Sequence, residues 1–312
     1  MSIDVPFELV LEIFSELATF SANDALALST LSSTVKRCIA RQLYETVTLK
    51  SARQVNAFLA LLKEREGAKG YVNPAPLVKN MCITHHVIST RQSSAESEDP
   101  TVEIFELCPN LERIALQSTF LHSSLVSAHS VQRLRCKSLF LVGPTFPSDW
   151  ERHVHAIHNT VSEERLTSGG ARSGSLLTDV SDLNILDPLS STHFSIPCLA
   201  HLPNLSRIAL IQDPGKSRVE FSELDALLRI PKLSMIVMSF DLRSLSRTRD
   251  ALDELADRAK KHDDRIFVLE RLFEDSLGGW ERSVRGGEDI WERAIREQLE
   301  RDLRQARSII AL

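Results

Sequence analysis

Cysteine, surplus positive charge and long apolar runs are all scarce in this chain, and each shortage removes a class of function. Lys and Arg together number 37 against 42 Asp and Glu, a net charge of −5. A partner selected by phosphate neutralisation needs a cationic stripe, so this balance argues against nucleic acid. No apolar run approaches the roughly 18 residues that a membrane span requires, and Asp4 and Glu8 stand where a secretory signal carries basic residues. The expectation is a chain of the cytoplasm or nucleus, with no membrane partner. The five cysteines, Cys38, Cys82, Cys108, Cys136 and Cys198, are odd in number, far apart and mostly set among apolar residues. That usage fits reduced thiols acting as small buried hydrophobes.

What the chain does have is 43% hydrophobic content over 312 residues, enough to bury a large core. From Pro6 to Leu17 the residues Leu9, Val10, Ile13, Phe14 and Leu17 recur at helical spacing, with Pro6 at a first-turn position and Glu8 beside the positive end of the helix dipole. A polar break at Ser21 to Asp24 supplies caps. Leu26, Leu28 and Leu31 then open a second helix, and Val35, Ile39 and Leu43 continue a third. Residues 1–45 therefore read as a module of three short helices.

The run Val5-Pro6-Phe7-Glu8-Leu9-Val10-Leu11-Glu12-Ile13-Phe14-Ser15-Glu16-Leu17 resembles the opening helix of the F-box. In that family the Pro-x-Glu-Leu start and the apolar positions after it dock on the adaptor subunit of Skp-cullin-F-box ubiquitin ligases. The resemblance implies adaptor binding by Pro6, Leu9, Ile13 and Leu17, joined by Leu26, Leu28 and Leu31 from the next helix. It covers about the first 45 residues. It departs from the family at Ser33, Thr34 and Val35, where a basic pair and an aromatic are usual, and in a first loop lengthened around Phe20 to Asn23.

Beyond this module the sequence repeats itself. Cys108-Pro109-Asn110-Leu111-Glu112-Arg113-Ile114-Ala115-Leu116, Leu202-Pro203-Asn204-Leu205-Ser206-Arg207-Ile208-Ala209-Leu210 and Ile230-Pro231-Lys232-Leu233-Ser234-Met235-Ile236-Val237-Met238 are copies of one unit. The shared Pro-x-Leu-x-x-Ile-x-apolar frame fits a turn followed by a short strand whose alternate side chains enter a core. Weaker copies are Tyr44-x-x-Val47-x-Leu49, Val78-x-x-Met81-x-Ile83, Cys136-x-x-Leu139-x-Leu141, Val180-x-x-Leu183-x-Ile185 and Asp263-x-x-Ile266-x-Val268, so eight strands are predicted. Helical patterns lie between them at Ala52 to Arg65, Val102 to Leu107, Phe221 to Arg229 and Leu245 to Lys261. Strand-helix alternation predicts an α/β fold with a parallel sheet. A strand-to-strand spacing of mostly about 25 to 35 residues is the regime of leucine-rich repeats.

Residues 46–287 thus resemble the degenerate leucine-rich repeats that follow an F-box in fungal proteins. The asparagine ladder of regular repeats is missing after most strands, so an irregular solenoid is expected. Two stretches rich in Ser, Glu, Gly and Arg, near 91–100 and 162–175, read as flexible insertions. In residues 288–312 Trp291, Ile295, Leu299 and Leu303 recur at four-residue intervals, the stripe of an amphipathic helix that caps the array.

Strand residues that alternate with the core frame grow apolar toward the C-terminus. Phe140, Val142, Leu186, Ile211, Met235, Val237 and Phe267 form a contiguous patch, expected to grip a protein target. Coverage by the C-terminal stripe and burial as ordinary two-sided core are the competing readings. No chemistry-bearing constellation survives inspection. Gly215-Lys216-Ser217 lacks the upstream glycine of a phosphate-binding loop, since Leu210 stands there. His153 and His155 point to different helix faces, and no cysteine or carboxylate completes a tetrahedral set with His158. His85 and His86 diverge at a strand end, Ser173 lacks the frame of a nucleophile elbow, and Asn204-Leu205-Ser206 matches a glycosylation acceptor only by letter. Neither catalysis nor a cofactor is expected. The implied function is substrate recognition in a ubiquitin ligase, with a Skp-family adaptor and a protein target as partners. A non-catalytic repeat scaffold, its F-box-like segment serving only as a cap, is the alternative.

Overall fold

The computed structural model describes residues 6–20, 22–64, 73–84, 100–117, 136–142, 179–188, 202, 204–211, 221–240, 249–270 and 277–310. The helical spacing of the first residues is realised as α1 (Phe7–Phe20). The second helix, α2 (Ala22–Ser29), starts before the expected polar break has ended, which places Asp24 in its first turn. A carboxylate there is favoured by the helix dipole, so the break expected at 21–24 is shorter than its polar composition suggests. The third expected helix is two, α3 (Ser33–Cys38) and α4 (Ala40–Glu45), interrupted at Ile39 with φ −94° and ψ 6°. Ser32 caps α3 by accepting from the Val35 amide at 3.1 Å. Ala18, Ala25, Val35 and Ile39 form the small buried centre of these helices, with Leu11, Phe14, Leu28 and Leu43 packed around it. The small side chains of Ala18 and Ala25 let α1 and α2 approach closely, and Val35 and Ile39 fill the space between them and the following helices.

Glu45 ends α4 and Thr46 opens the sheet. Its strands are β1 (Thr46–Leu49), β2 (Asn80–Ile83), β3 (Arg113–Gln117), β4 (Ser138–Val142), β5 (Asp182–Pro188), β6 (Arg207–Ile211), β7 (Met235–Phe240) and β8 (Ile266–Glu270). All pair in parallel and in chain order, β1 to β8. Each predicted frame supplies one strand, and the pairing register aligns the frames. Val47, Met81, Ile114, Leu139, Leu183, Ile208, Ile236 and Ile266 stand in one row across the sheet, because each pairs with the next. Side chains alternate between sheet faces, so this row and the one two residues on enter the same core. Burial of those rows fixes the register, since a slip by one residue would turn every apolar side chain to the other face.

That core is closed by α5 (Ala52–Glu64), α6 (Pro100–Leu107), α7 (Asp225–Leu228) and α8 (Arg249–His262), through Val55, Phe105, Leu227 and Leu255 among others. The pattern at Phe221 to Arg229 is realised as a 3-10 turn, Phe221–Leu224, leading into α7. Where regular repeats carry an asparagine ladder after each strand, this chain has a serine ladder before three of them. The hydroxyls of Ser181, Ser206 and Ser234 donate to the carbonyls of Lys137, Ser181 and Ser206 at 3.0 to 3.1 Å, joining each unit to the one before it. The predicted insertion at 162–175 lies outside the described residues, as does the one at 91–100 except for Pro100, which opens α6.

Two further helices lie on the opposite sheet face: α9 (Leu277–Val284) and α10 (Ile290–Ile310). The chain turns between them at Gly286, whose φ of +91° suits glycine, while the Gly287 amide donates to the Arg282 carbonyl at 2.9 Å. Asp289 caps α10 by accepting from the amides of Trp291 and Glu292 at 2.9 and 2.8 Å. Its own amide donates to the Glu292 carboxylate at 3.1 Å, completing a capping box. Among the described residues, no helix is long and apolar enough to cross a membrane.

Candidate functional site

Two surfaces follow from this arrangement. On α1, positions 9, 13 and 17 fall on one ridge, since steps of four residues nearly close one helical turn. Leu9, Ile13 and Leu17 are 46%, 47% and 44% exposed, and Leu26 and Leu31 are 62% and 60% exposed. Pro6 is exposed as well. These are six of the seven residues that the F-box resemblance nominates. The seventh, Leu28, is half-buried and packs on the module centre, because it lies on the side of α2 that meets Ala18 and Val35. Phe7, 56% exposed, starts α1 on a different face, since two residues turn a helix by about 200°. Of the three residues at the departure from the family pattern, Val35 is buried in the module's centre, Thr34 is half-buried and Ser33 is exposed.

The expected target-binding patch is not an open surface. Phe140, Ile211, Met235 and Val237 are buried, and Val142, Leu186 and Phe267 are half-buried. The reason lies in α9 and α10. Trp280 of α9 packs on Cys82, Ala115 and Phe140, and Trp291 and Ala294 of α10 pack on Ala209, Met235, Val237 and Leu269. Coverage from the C-terminal side therefore replaces the open grip expected from the strands.

The covering stripe also differs from expectation. Trp291 turns inward, but Ile295, Leu299 and Leu303 are each more than half exposed. Four residues advance a helix by about 400°, so a strict four-residue stripe drifts off any one face by about 40° per step. The side of α10 that meets the body is polar beyond Ala294. Arg301 is buried, donating to the Val268 carbonyl at 2.7 Å and to Asp253 of α8 at 2.9 Å. Arg293 donates to the Glu270 carbonyl at 2.6 Å.

Where α9, the Gly286 turn and the start of α10 cross β3 to β6, they do not close fully, and a cleft of about 360 Å³ remains. Its floor is set by the register: Arg113, Ser138, Asp182 and Arg207 form one cross-strand row, and Phe140 and Asn184 belong to the next. Arg207 donates to both oxygens of Asp182, at 2.6 and 2.8 Å, and its guanidinium lies 5.1 Å from the centre of the Trp291 ring. Its hydrogen bonds to Asp182 raise the Arg207 pKa further above its ordinary value. Glu288, on the opposite wall, is bonded by Arg296 at 2.7 Å, which holds its carboxyl below the usual range.

Among the described residues, no group of three or more His, Cys, Asp or Glu side chains is arranged to hold a metal ion. His85, His86, His153, His155 and His158, together with Ser173 and Gly215-Lys216-Ser217, lie outside the described residues. Neither a family model nor any curated protein matches the chain.

Proposed function

We propose that this chain is the substrate-recognition subunit of a Skp-cullin-F-box type ubiquitin ligase. Residues 6–45 hold a Skp-family adaptor, and the sheet-bearing body acts as an irregular leucine-rich-repeat solenoid that presents a protein target. The subunit does no chemistry itself. The observation that carries this reading is the ridge of Leu9, Ile13 and Leu17 on α1, with Leu26 on α2 and Leu31 in the turn after it, large apolar side chains left about half or more exposed. Five such residues left in water read as a docking surface in search of a partner. Their order along the chain is that of the F-box residues that meet the adaptor.

Glu8, Glu12 and Glu16 are exposed on α1 one position ahead of Leu9, Ile13 and Leu17, so an acidic row runs beside the apolar one. Such a fringe sets orientation and encounter rate more than affinity. Co-purification with a Skp-family adaptor, followed by titration of the two purified proteins, tests the reading. A well-folded chain that ignores the adaptor would leave the scaffold alternative in its place.

A further inference from the structure

In the second sheet face, one cross-strand row reads Thr48, Cys82, Ala115, Phe140, Asn184, Ala209, Val237 and Phe267. From β2 onward Asn184 is its one hydrogen-bonding amide among apolar and thiol side chains. It is 9% exposed, and among the described residues its Oδ1 has no hydrogen-bond partner. Trp280, 5% exposed, reaches the same cleft from α9, and its indole N–H is likewise unpartnered. Leaving a buried donor and a buried acceptor unpaired costs free energy at each, and cores avoid it. A leucine at position 184 would continue the row at no such cost. Both residues line one cleft with their unpaired atoms just beneath its surface, so a ligand that enters with a small shift of the two side chains and supplies a donor to one and an acceptor to the other accounts for both.

The charge at the cleft points the same way. Of its acidic residues, Asp182 is taken by Arg207, Glu288 by Arg296, and Asp289 by the start of α10, which leaves Glu112. Among the described residues, Arg113 and Lys137 form no ion pair, and both line the cleft. The open balance therefore favours an anion.

We infer that this cleft binds an extended acidic peptide segment of the target, with Asn184 and Trp280 pairing its backbone and Arg113 and Lys137 its carboxylates. The carboxamide of Asn184 offers a donor and an acceptor side by side, which matches the N–H and C=O of a peptide chain whichever way the amide is turned. Trp280 N–H then donates to a neighbouring carbonyl. A cleft of about 360 Å³ accommodates one or two residues, so the rest of the segment runs along the open rim. The inference rests on reading the chain as a target-binding subunit.

The test probes the full-length chain with an array of random nine-residue peptides. The tightest acidic peptide and its Asn/Gln-neutralised copy are then titrated in solution. Acidic sequences should be enriched, and neutralisation should weaken binding about tenfold or more, as loss of a charge-assisted contact does. Asn184→Leu and Trp280→Phe should each weaken the acidic peptide about fivefold or more. Arg113→Gln with Lys137→Gln should do the same while leaving the row of Asn184 unchanged. Asn184→Leu should also melt at or above the wild-type temperature, since it removes an unpaired buried acceptor. A lower melting temperature would show that Asn184 serves the fold, and would overturn its assignment. Enrichment of basic or neutral peptides, no enrichment, or full binding by Asn184→Leu would each overturn the inference. Adaptor titration of the same samples separates the two readings: adaptor binding without peptide binding sinks the cleft alone, and peptide binding without adaptor binding sinks the ligase assignment alone.

Discussion

Replacing Leu9 and Ile13 tests the docking ridge quantitatively, because the structure states how much of each side chain remains to be buried. Fully burying a Leu or Ile side chain contributes about 1.5–3 kcal/mol. With 46% and 47% of their surfaces still exposed, a partner can gain a little under half of that, or about 1 kcal/mol, from each. Leu9→Ala or Ile13→Ala should therefore raise the adaptor Kd about fivefold, and the pair together about thirtyfold if the two effects add. Leu9→Asp with Ile13→Asp goes further. It places two unpaired carboxylates in a contact that excludes water, and binding should fall below detection. The already buried halves contribute to the free chain, so each substitution also costs its stability up to about 1 kcal/mol, which a domain of ordinary stability survives. The assay is titration against purified Skp-family adaptor, with thermal melting followed by circular dichroism on the same preparations. Two results refute the reasoning. An unchanged Kd for the double aspartate would mean the ridge is not the docking surface, and loss of cooperative melting would mean that it belongs to the core.

Other predictions concern the C-terminal cover and the buried thiols. Deleting residues 288–312 uncovers Ala209, Met235, Val237 and Leu269, so the shortened chain should lose stability and gain binding of a hydrophobic dye; an unchanged melt would separate α10 from the fold. Trp291→Ala alone should cost about 3 kcal/mol, read as a shift in denaturant midpoint. Arg301→Ala should cost roughly 2–3 kcal/mol, at the low end for a broken buried pair because Asp253 is partly exposed, whereas Arg301→Met should recover part of the loss through packing. Burial pushes the thiols of Cys82, Cys108 and Cys136 from about 9 up to about 12, so alkylation of the native chain near neutral pH should spare them and reach exposed Cys38 first. The same shifts set a pH dependence. Above about pH 9 the unfolded chain releases these protons while the folded chain holds them, so the thiols' contribution to stability should be constant below that pH and decline toward about pH 12. Denaturant midpoints at about pH 8 and about pH 10.5 check the direction.

The strands were legible because burial of one sheet face forces a repeated frame. Once Ile114, Ile208 and Ile236 are aligned by their shared Pro-x-Leu-x-x-Ile context, the weaker copies fall into register, and the sheet places them in one row. The ridge on α1 was equally legible, since exposed apolar residues at helical spacing leave the same trace as buried ones. What periodicity does not carry is which element covers which face. Helix α9 escaped notice because Leu277-Gly278-Gly279-Trp280 opens with two residues of poor helix propensity. Without α9 and its tryptophan, Phe140 looked like a surface residue. The stripe at Trp291 misled because the buried face of α10 runs through Ala294 and Arg301; Trp291 sits at its edge, and each four-residue step drifts about 40° away from it. Asn184 was within reach of the sequence: it lies between Leu183 and Ile185 of a recognised frame, and a polar residue at that position of an apolar row was the signal.

An open parallel sheet ends in a strand whose outer backbone groups face no neighbour, and such an edge invites pairing with any extended chain. Just before β8 the Arg265 carbonyl points inward and accepts from the amide of Ile236 of β7 at 2.8 Å, so by the alternation of the strand the carbonyls of Val268 and Glu270 point outward. Those two are the acceptors occupied by Arg301 and Arg293. The polar side of α10, which is out of place in a hydrophobic cover, thus acts as a guard on the sheet's exposed margin. Two guanidinium groups occupy acceptors that another molecule's strand would need, and they do so with a charge that no incoming backbone amide can easily displace. A chain built by adding one strand after another needs a device that says where addition stops, and this helix supplies it.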